Sequence, residues 1–298
     1  MSTAVPADDD LSHLHPQIRP IALADNERRI GEIRRDHWIP YERAVEIERA
    51  LDDILEHPRS PRMPNALIVG DRGNGKSSIA KHFARRHTGT DDPGAARRTV
   101  PVLLLESPSA PLEVRIYQEV LRTLFSPFHP KAPVAQLRYQ VERTLAEIGT
   151  RMLMFDEIHH LLDGGAVQQR QCLNALKSLA NTVGVAIVGF GTERAELVLA
   201  TDEQLANRFE VLELPIWANR LEWRELLATF ERRLPLRKPS GLAEPAVASL
   251  LHTRSGGRLG DLVYLLRRAG TQAIRKGSEC ITLEMIQQIR IRRPGDPR

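Results

Sequence analysis

Residues 66–77 of this chain read ALIVGDRGNGKS and are its most informative stretch. The apolar run 66–69 is typical of a buried strand, and the residues after it complete the pattern G-x-x-x-x-G-K-S. Glycines in this pattern let backbone N–H groups turn toward a phosphate, and the next helix adds a positive field at its N-terminus. The flanking strand and helix favour a P-loop over a glycine-rich turn with an incidental lysine. The predicted nucleotide-binding residues here are Gly70, Asp71, Arg72, Gly73, Asn74, Gly75, Lys76, Ser77 and Ser78.

A second motif complements this loop. Lys76 would bring a positive charge to the β- and γ-phosphates, and the Ser77 hydroxyl would bind Mg²⁺. The apolar run 152–155 is followed directly by Asp156 and Glu157. Asp156 is predicted to hold Mg²⁺ through its water shell, and Glu157 to polarise the water that attacks the γ-phosphate. The two carboxylates could instead cap a helix or meet an arginine, but the P-loop favours a nucleotide site, and the adjacent glutamate favours hydrolysis over transfer to a hydroxyl.

Short apolar runs alternate with helical periodicity along the middle of the chain, which is typical of parallel βαβ units. The predicted strands are 66–70, 100–105, 152–156, 185–189 and 209–214. After Pro215 only helical patterns follow. We therefore predict an α/β fold, a P-loop NTPase with a five-stranded parallel sheet and a small C-terminal all-helical lid domain.

Composition and proline punctuation divide the chain into four parts. We predict a flexible arm over residues 1–25, a nucleotide-binding domain with an N-terminal helical segment over 26–214, a helical lid over 215–290 and a frayed basic tail over 291–298. Of the 298 residues, 42% are apolar, which is enough for a large core and excludes a disordered or fibrous class.

Charge and cysteine content narrow the class further. The 42 basic residues include 36 arginines but only slightly exceed the 38 acidic ones, so charge permits a nucleic-acid partner without requiring one. Cys172 and Cys280 have no disulfide framework or metal-ligand spacing, and we expect reduced thiols. No signal peptide and no membrane-spanning stretch is apparent, which predicts a soluble, cytoplasmic protein without a membrane partner.

Three residues are candidates for sensing or stabilising charge at the γ-phosphate. Arg208 precedes the fifth predicted strand, where its side chain could reach the ATP of a neighbouring subunit. Arg258 begins a lid helix and could reach the γ-phosphate from there. Either arginine could instead form a surface ion pair. Thr192 follows the fourth strand and could hold the attacking water or cap the helix at Glu193. The predicted catalytic residues are Glu157, Lys76, Arg208 and Thr192.

His159 and His160 follow the acidic pair and could suggest a metal site. No further ligand stands at a suitable spacing, so a solvated or capping role is favoured for both.

The order of these features resembles that of AAA+ ATPases. More narrowly, the stretches Trp38-Ile39-Pro40-Tyr41, Arg62-Met63-Pro64 and FDEIHHL at 155–161 resemble the TniB family, the ATPases of Tn5053/Tn402-type transposons, which are related to TnsC and more distantly to MuB. The resemblance covers residues 25–290 of this chain.

The resemblance implies an ATP- and Mg²⁺-dependent regulator of transposition. Such a protein would form homo-oligomeric rings or filaments on double-stranded DNA, mark the target, recruit the DDE transposase and use ATP hydrolysis to control disassembly. The family's phosphate, magnesium and water-activating positions fall on Gly75, Lys76, Ser77, Asp156 and Glu157, and its trans-acting arginine falls on Arg208.

The resemblance also suggests residues outside these motifs. Ile39 and Tyr41 would lie near the adenine, and Arg115, Lys131 and Arg138, which follow the second strand, would be available to contact DNA, although solvated helix surfaces carry such residues too. Two other functions remain open: a helicase-loader or initiator-type ATPase, for which no helix-turn-helix or zinc-binding domain is apparent, and a nucleotide-dependent protein switch without DNA binding.

Overall fold

The computed structural model describes residues 10–60, 62–90, 98–201 and 206–291. They form two compact units. The α/β unit is Glu42–Pro215, and the helical unit combines the chain up to Tyr41 with the chain from Ile216 onward.

The α/β unit contains one five-stranded sheet, as predicted. Its strands are β1 (Asn65–Gly70), β2 (Val102–Glu106), β3 (Met152–Asp156), β4 (Ala186–Gly191) and β5 (Phe209–Leu214). All pairings are parallel, and the strand order is β2-β3-β4-β1-β5. Because β4 lies between β1 and β3, the carboxyl ends of these three strands are neighbours along one edge of the sheet.

The described residues form twelve α-helices, numbered here in chain order. Their bounds are α1 Arg19–Ala22, α2 Asn26–Arg34, α3 Glu42–Glu56, α4 Lys76–Arg86, α5 Glu113–Thr123, α6 Val134–Glu147, α7 Ala166–Leu179, α8 Glu193–Leu199, α9 Leu221–Glu231, α10 Pro245–Ser255, α11 Leu259–Lys276 and α12 Leu283–Gln288. A 3₁₀ helix, Ile158–Leu162, follows β3, and a π-helical segment, Ala180–Gly184, continues from α7. Helices α3 to α8 belong to the α/β unit, and the others belong to the helical unit.

Apolar side chains bury the central strands of the sheet. Leu67 and Val69 of β1 and Leu153 and Phe155 of β3 join one core cluster with side chains of α5, α6 and α7. Burying a leucine or phenylalanine of this kind contributes about 1.5–3 kcal/mol. The sheet thereby provides a fixed platform for the loops at its carboxyl edge.

The helical unit has its own core around Trp223, which is fully buried and donates its indole N–H to the Ala248 carbonyl oxygen at 3.0 Å. Apolar side chains of α11, such as Leu262 and Leu265, pack into the same cluster. A helical region therefore follows the α/β unit in the chain, as the sequence predicts.

The structure places the beginning of the chain differently from the prediction of a flexible arm. Leu14, Ile18 and Ala22 are buried together, and the His15 backbone N–H donates to the Arg232 carbonyl oxygen at 2.8 Å. Residues 10–25 thus pack within the helical unit because a small apolar cluster holds them there. Residues 1–9 lie outside the described part of the chain, as does the predicted basic tail beyond Ile291.

The boundary predicted at residue 26 also differs. Residues 26–41, including α2, group with the helical unit and not with the α/β unit. The physical reason is Arg29 of α2, which is fully buried and donates to the Pro235 carbonyl oxygen and to the Glu279 carboxylate.

Among the described helices, none is both long and apolar enough to cross a bilayer.

Candidate nucleotide-binding site

The predicted P-loop connects β1 to α4 at the carboxyl edge of the sheet. Gly73 and Gly75 have φ values of 71° and 95°, and Gly75 immediately precedes the first residue of α4. Residues with a side chain rarely adopt this left-handed region, whereas glycine does so without steric cost. The two glycines therefore let the loop turn tightly into the helix, whose N-terminal N–H groups are suited to bind an anion.

The loop is also anchored to β5, the neighbour of β1. Asn74 is 1% exposed, and its side-chain amide donates to the carbonyl oxygens of Leu214 and Pro215, both at 2.8 Å. A Cβ atom at Gly70 would lie 2.6 Å from the same Leu214 oxygen. In the sequence Asn74 is predicted only as a residue of the loop, because no local pattern indicates a hydrogen-bond acceptor 140 positions further along the chain.

Lys76 lies over this loop. Its side chain donates to the carbonyl oxygens of Gly70 at 2.7 Å and Asp71 at 2.8 Å, and the residue is 5% exposed. Burial lowers the pKa of the Lys76 ammonium, and the charges of Glu157 and Asp156 oppose that shift. The structure thus brings together the lysine and the two carboxylates that the sequence assigned to one site.

The two carboxylates follow β3 in an unusual backbone conformation. Glu157 has φ 53° and ψ 43°, and its backbone N–H donates to Oδ1 of Asp156 at 3.1 Å. A left-handed conformation costs a residue with a side chain roughly 1–2 kcal/mol. Such strain is often found where a functional side chain must be presented in one direction.

His159 differs from the solvated or capping role that was favoured for it. It is 6% exposed, its Nδ1 lies 3.2 Å from Oε2 of Glu157, and its ring is tilted by 56° against that of His160 with 4.5 Å between centroids. Burial lowers the pKa of the His159 imidazole, while the charge of Glu157 acts in the opposite direction. Within the described residues, no group of three or more His, Cys, Asp or Glu side chains could hold a metal ion.

Thr192 follows β4 and so lies between the ends of β1 and β3. It occupies the N-cap position of α8, but its side chain makes no capping hydrogen bond. The structure therefore gives Thr192 the position of a cap without the contact that a capping role requires.

Arg208 lies at the amino ends of the strands, whereas the P-loop lies at their carboxyl ends. It immediately precedes β5, its carbonyl oxygen accepts from the Asn65 N–H at 3.0 Å, and its guanidinium donates to Asn181 at 2.9 Å. Asn65 begins β1 and Gly70 ends it, five steps later, so at about 3.3 Å per residue Arg208 is roughly 16 Å from the P-loop end of its own sheet.

Three predicted nucleotide contacts belong to the helical unit. Ile39 is 8% exposed in the core of that unit, and the Tyr41 ring packs edge-on against Trp217 with centroids 5.0 Å apart. The Tyr41 hydroxyl is buried without a hydrogen-bond partner in the described chain. Arg258 is the N-cap residue of α11. The assignment of these residues to adenine or phosphate remains a prediction.

The three predicted DNA contacts lie in the segment between β2 and β3. Arg115 lines an open groove of about 530 Å³, together with Arg122 and Phe128. Lys131 is exposed in the following loop, and Arg138 on α6 is paired with Glu142 at 2.8 Å. The Arg138 charge is therefore partly balanced, which makes it the least available of the three.

The sequence profile described as "Bacterial TniB protein" matches residues 29–219, which is more than half of the chain. The chain belongs to the TniB family. No functionally curated protein sequence matches it.

Solved structures share the AAA+ fold of this TniB chain. The ORC2 protein of Aeropyrum pernix in ADPNP–ADP complexes is 16% identical, with 86% of this chain and 70% of that chain covered and a TM-score of 0.63. The ORC1 protein of Aeropyrum pernix in complex with DNA is 18% identical, with 87% of this chain and 67% of that chain covered and a TM-score of 0.62. Cdc6p from Pyrobaculum aerophilum is 15% identical, with 87% of this chain and 68% of that chain covered and a TM-score of 0.58. At such identities the likeness shows the fold alone.

Proposed function

We propose that this TniB-family chain is an ATPase that assembles on double-stranded DNA, recruits a DDE transposase and uses ATP hydrolysis to control its disassembly. The observation that carries the proposal is the arrangement of Lys76, Asp156 and Glu157 at the carboxyl edge of the sheet, close enough for both carboxylates to act on the pKa of the lysine. A basic group for phosphates and two acidic groups beside it are the parts that nucleotide hydrolysis needs.

The residues at this edge fit ATP with Mg²⁺. Gly73, Gly75 and the first turn of α4 offer backbone N–H groups, and Lys76 would exchange its two carbonyl acceptors for phosphate oxygens. Ser77 and Asp156 supply hydroxyl and carboxylate oxygens, which are ligands suited to Mg²⁺. Bound Mg²⁺ would offset the negative charge of the phosphates.

Glu157 would act as the general base. Its side chain is 38% exposed, so a water molecule can reach its carboxylate. Thr192, at the end of the intervening strand β4, would help to hold that water, since its hydroxyl is not used for capping.

The position of Arg208 supports an assembly in which subunits complete each other's sites. A side chain at the opposite edge of its own sheet cannot reach the nucleotide of the same chain, but it could reach that of a neighbour. Hydrolysis would then depend on oligomerisation.

Contact with DNA and with the transposase is the part of the proposal that rests on family membership. Arg115 and Lys131 are exposed and lie in the segment between β2 and β3, and an assembly would repeat them along the duplex. Weak phosphate contacts would add up across subunits. An initiator-type role is the second candidate, because the structural neighbours include ORC and Cdc6 proteins.

Electron microscopy with duplex DNA and a slowly hydrolysed ATP analogue tests the assembly. We expect ordered rings or filaments, and Lys76→Ala should prevent them because the phosphates lose their cation. DNA affinity that is absent, or that does not fall with salt, would contradict the DNA-binding proposal and favour a protein switch.

A mixing experiment tests catalysis across the subunit interface. Glu157→Gln and Arg208→Ala should each hydrolyse ATP poorly alone, because one lacks the base and the other the arginine. In an equal mixture, about a quarter of the interfaces would join an intact Glu157 to an intact Arg208, and activity should return. The control mixes the double variant Glu157→Gln/Arg208→Ala with either single variant. No interface in such a mixture joins an intact Glu157 to an intact Arg208, so activity should stay low. Failure of the mixture to recover would show that Arg208 does not act in trans.

A further inference from the structure

His159 presents a buried nitrogen to the predicted catalytic carboxylate. Its Nδ1 lies 3.2 Å from Oε2 of Glu157, but the two atoms are not aligned for a hydrogen bond, and Nδ1 has no hydrogen-bond partner in the described chain. An unsatisfied polar atom at a buried position is unfavourable. A modest rotation of the Glu157 side chain would satisfy it.

The backbone around this contact is tightly held. Ile158 packs against β4 so closely that a Cβ atom at Gly189 would lie 2.7 Å from its side chain, and one at Gly191 would lie 3.1 Å from it. The 3₁₀ helix that carries His159 is therefore fixed against the sheet. The Glu157 side chain is 38% exposed and therefore has room to change its orientation.

We propose that His159 is a positioning residue whose Nδ1–H holds the Glu157 carboxylate in the orientation from which it activates water. The inference rests on the proposed ATPase function and adds a residue to its site. A flexible glutamate side chain at a partly exposed position samples several rotamers, and a fixed donor beside it selects one of them.

A neutral imidazole suits this task. Burial favours the uncharged form of His159, which donates one hydrogen bond without placing a full positive charge next to the carboxylate. A full charge would lower the basicity of Glu157 and weaken it as a general base.

The test compares His159→Ala, His159→Asn and the matched control His160→Ala in the full chain, with kcat and KM for ATP measured in the presence of duplex DNA. The Asn side-chain nitrogen is attached at the same position as Nδ1, so it can donate to Glu157. We expect kcat to fall about 10- to 100-fold in His159→Ala at unchanged KM, since a hydrogen bond to a charged group is lost. His159→Asn should recover most of this activity, and His160→Ala should change kcat less than about twofold.

Two outcomes would overturn the inference and leave the proposed function standing. One is wild-type kcat in His159→Ala while Glu157→Gln is inactive, which would leave the ATPase proposal intact and remove His159 from it. The other is an equal loss of kcat in His159→Ala, His159→Asn and His160→Ala together with a lower melting temperature, which would indicate a structural role. Full hydrolysis by Glu157→Gln would instead refute the catalytic assignment in the proposed function, and with it the role of His159.

Discussion

Replacing Arg29 with methionine should strongly destabilise the helical unit. The guanidinium is fully buried, and it donates to Asn26, to the Pro235 carbonyl oxygen with two nitrogens, and to both carboxylate oxygens of Glu279. Methionine keeps an unbranched apolar stem, which ends near the position of Nε, but it has no donor. The substitution therefore tests whether this ion pair holds α2, and with it the beginning of the chain, to the helices that follow Ile216.

The expected loss follows from what the substitution leaves behind. Pro235 would keep a buried carbonyl oxygen without these donors, at a cost of about 1–3 kcal/mol. Glu279 is only 15% exposed, and its carboxylate would lose its cation. Removing one partner of a buried ion pair typically costs about 3–5 kcal/mol in total, and we expect a value in this range.

Tryptophan fluorescence measures this loss in one unit alone. All three tryptophans, Trp38, Trp217 and Trp223, belong to the helical unit. With a urea dependence of about 2 kcal/mol per molar, the fluorescence midpoint should fall by about 2 M. Arg28→Met, at the exposed neighbouring position, is the control and should change stability by less than about 0.5 kcal/mol. A loss below about 1 kcal/mol for Arg29→Met would refute the argument.

Two further predictions concern other unusual positions. Burial tends to raise the pKa of Glu279, but its hydrogen bonds and ion pair with Arg29 outweigh this effect and lower the pKa below 4.5. The stability advantage of the wild type over Glu279→Gln should therefore be complete above about pH 4.5 and shrink as the pH falls below that value. Urea titrations followed by tryptophan fluorescence at several pH values would measure this dependence. Phe125 has a φ value of 54° and a side chain that is 87% exposed. Phe125→Gly should therefore leave the free energy of unfolding unchanged or raise it by up to about 1 kcal/mol, as measured by thermal unfolding followed by circular dichroism. The control Phe128→Gly removes a side chain packed on the core and should lower the free energy of unfolding.

The sheet and the P-loop could be predicted because their signals are local. A run such as 66–69 shows a buried strand by composition alone, and the glycines and Lys76 stand at fixed spacing. All five strands were found, with ends within two residues of those observed. The acidic pair after β3 was equally visible, since both carboxylates follow an apolar run directly.

The contacts that were missed connect residues far apart in the chain. Helix α2 carries an ordinary helical pattern, and nothing near it shows that Arg29 meets Glu279, 250 positions away. Asn74 resembles any residue of a glycine-rich loop until β5 supplies its acceptors. A solvated or capping role was expected for His159 because no further metal ligand stands at a suitable spacing, but the 3₁₀ helix places it in a buried position. Local rules identify the elements, and the tertiary pairing of single polar groups lies beyond them.

Two glutamates of this chain, Glu157 and Glu279, have a strained backbone, and their surroundings differ. Within the described chain, the non-glycine residues with positive φ are Phe125, Glu157 and Glu279. For Glu279, the ion pair with buried Arg29 offsets a cost of roughly 1–2 kcal/mol, so the strain is balanced inside the fold. The Glu157 carboxylate instead has Nδ1 of His159 beside it, 3.2 Å away but not aligned for a hydrogen bond. We attribute the strained backbone of Glu157 to its proposed catalytic role, because the same geometry would be used when the carboxylate meets a water molecule beside a phosphate.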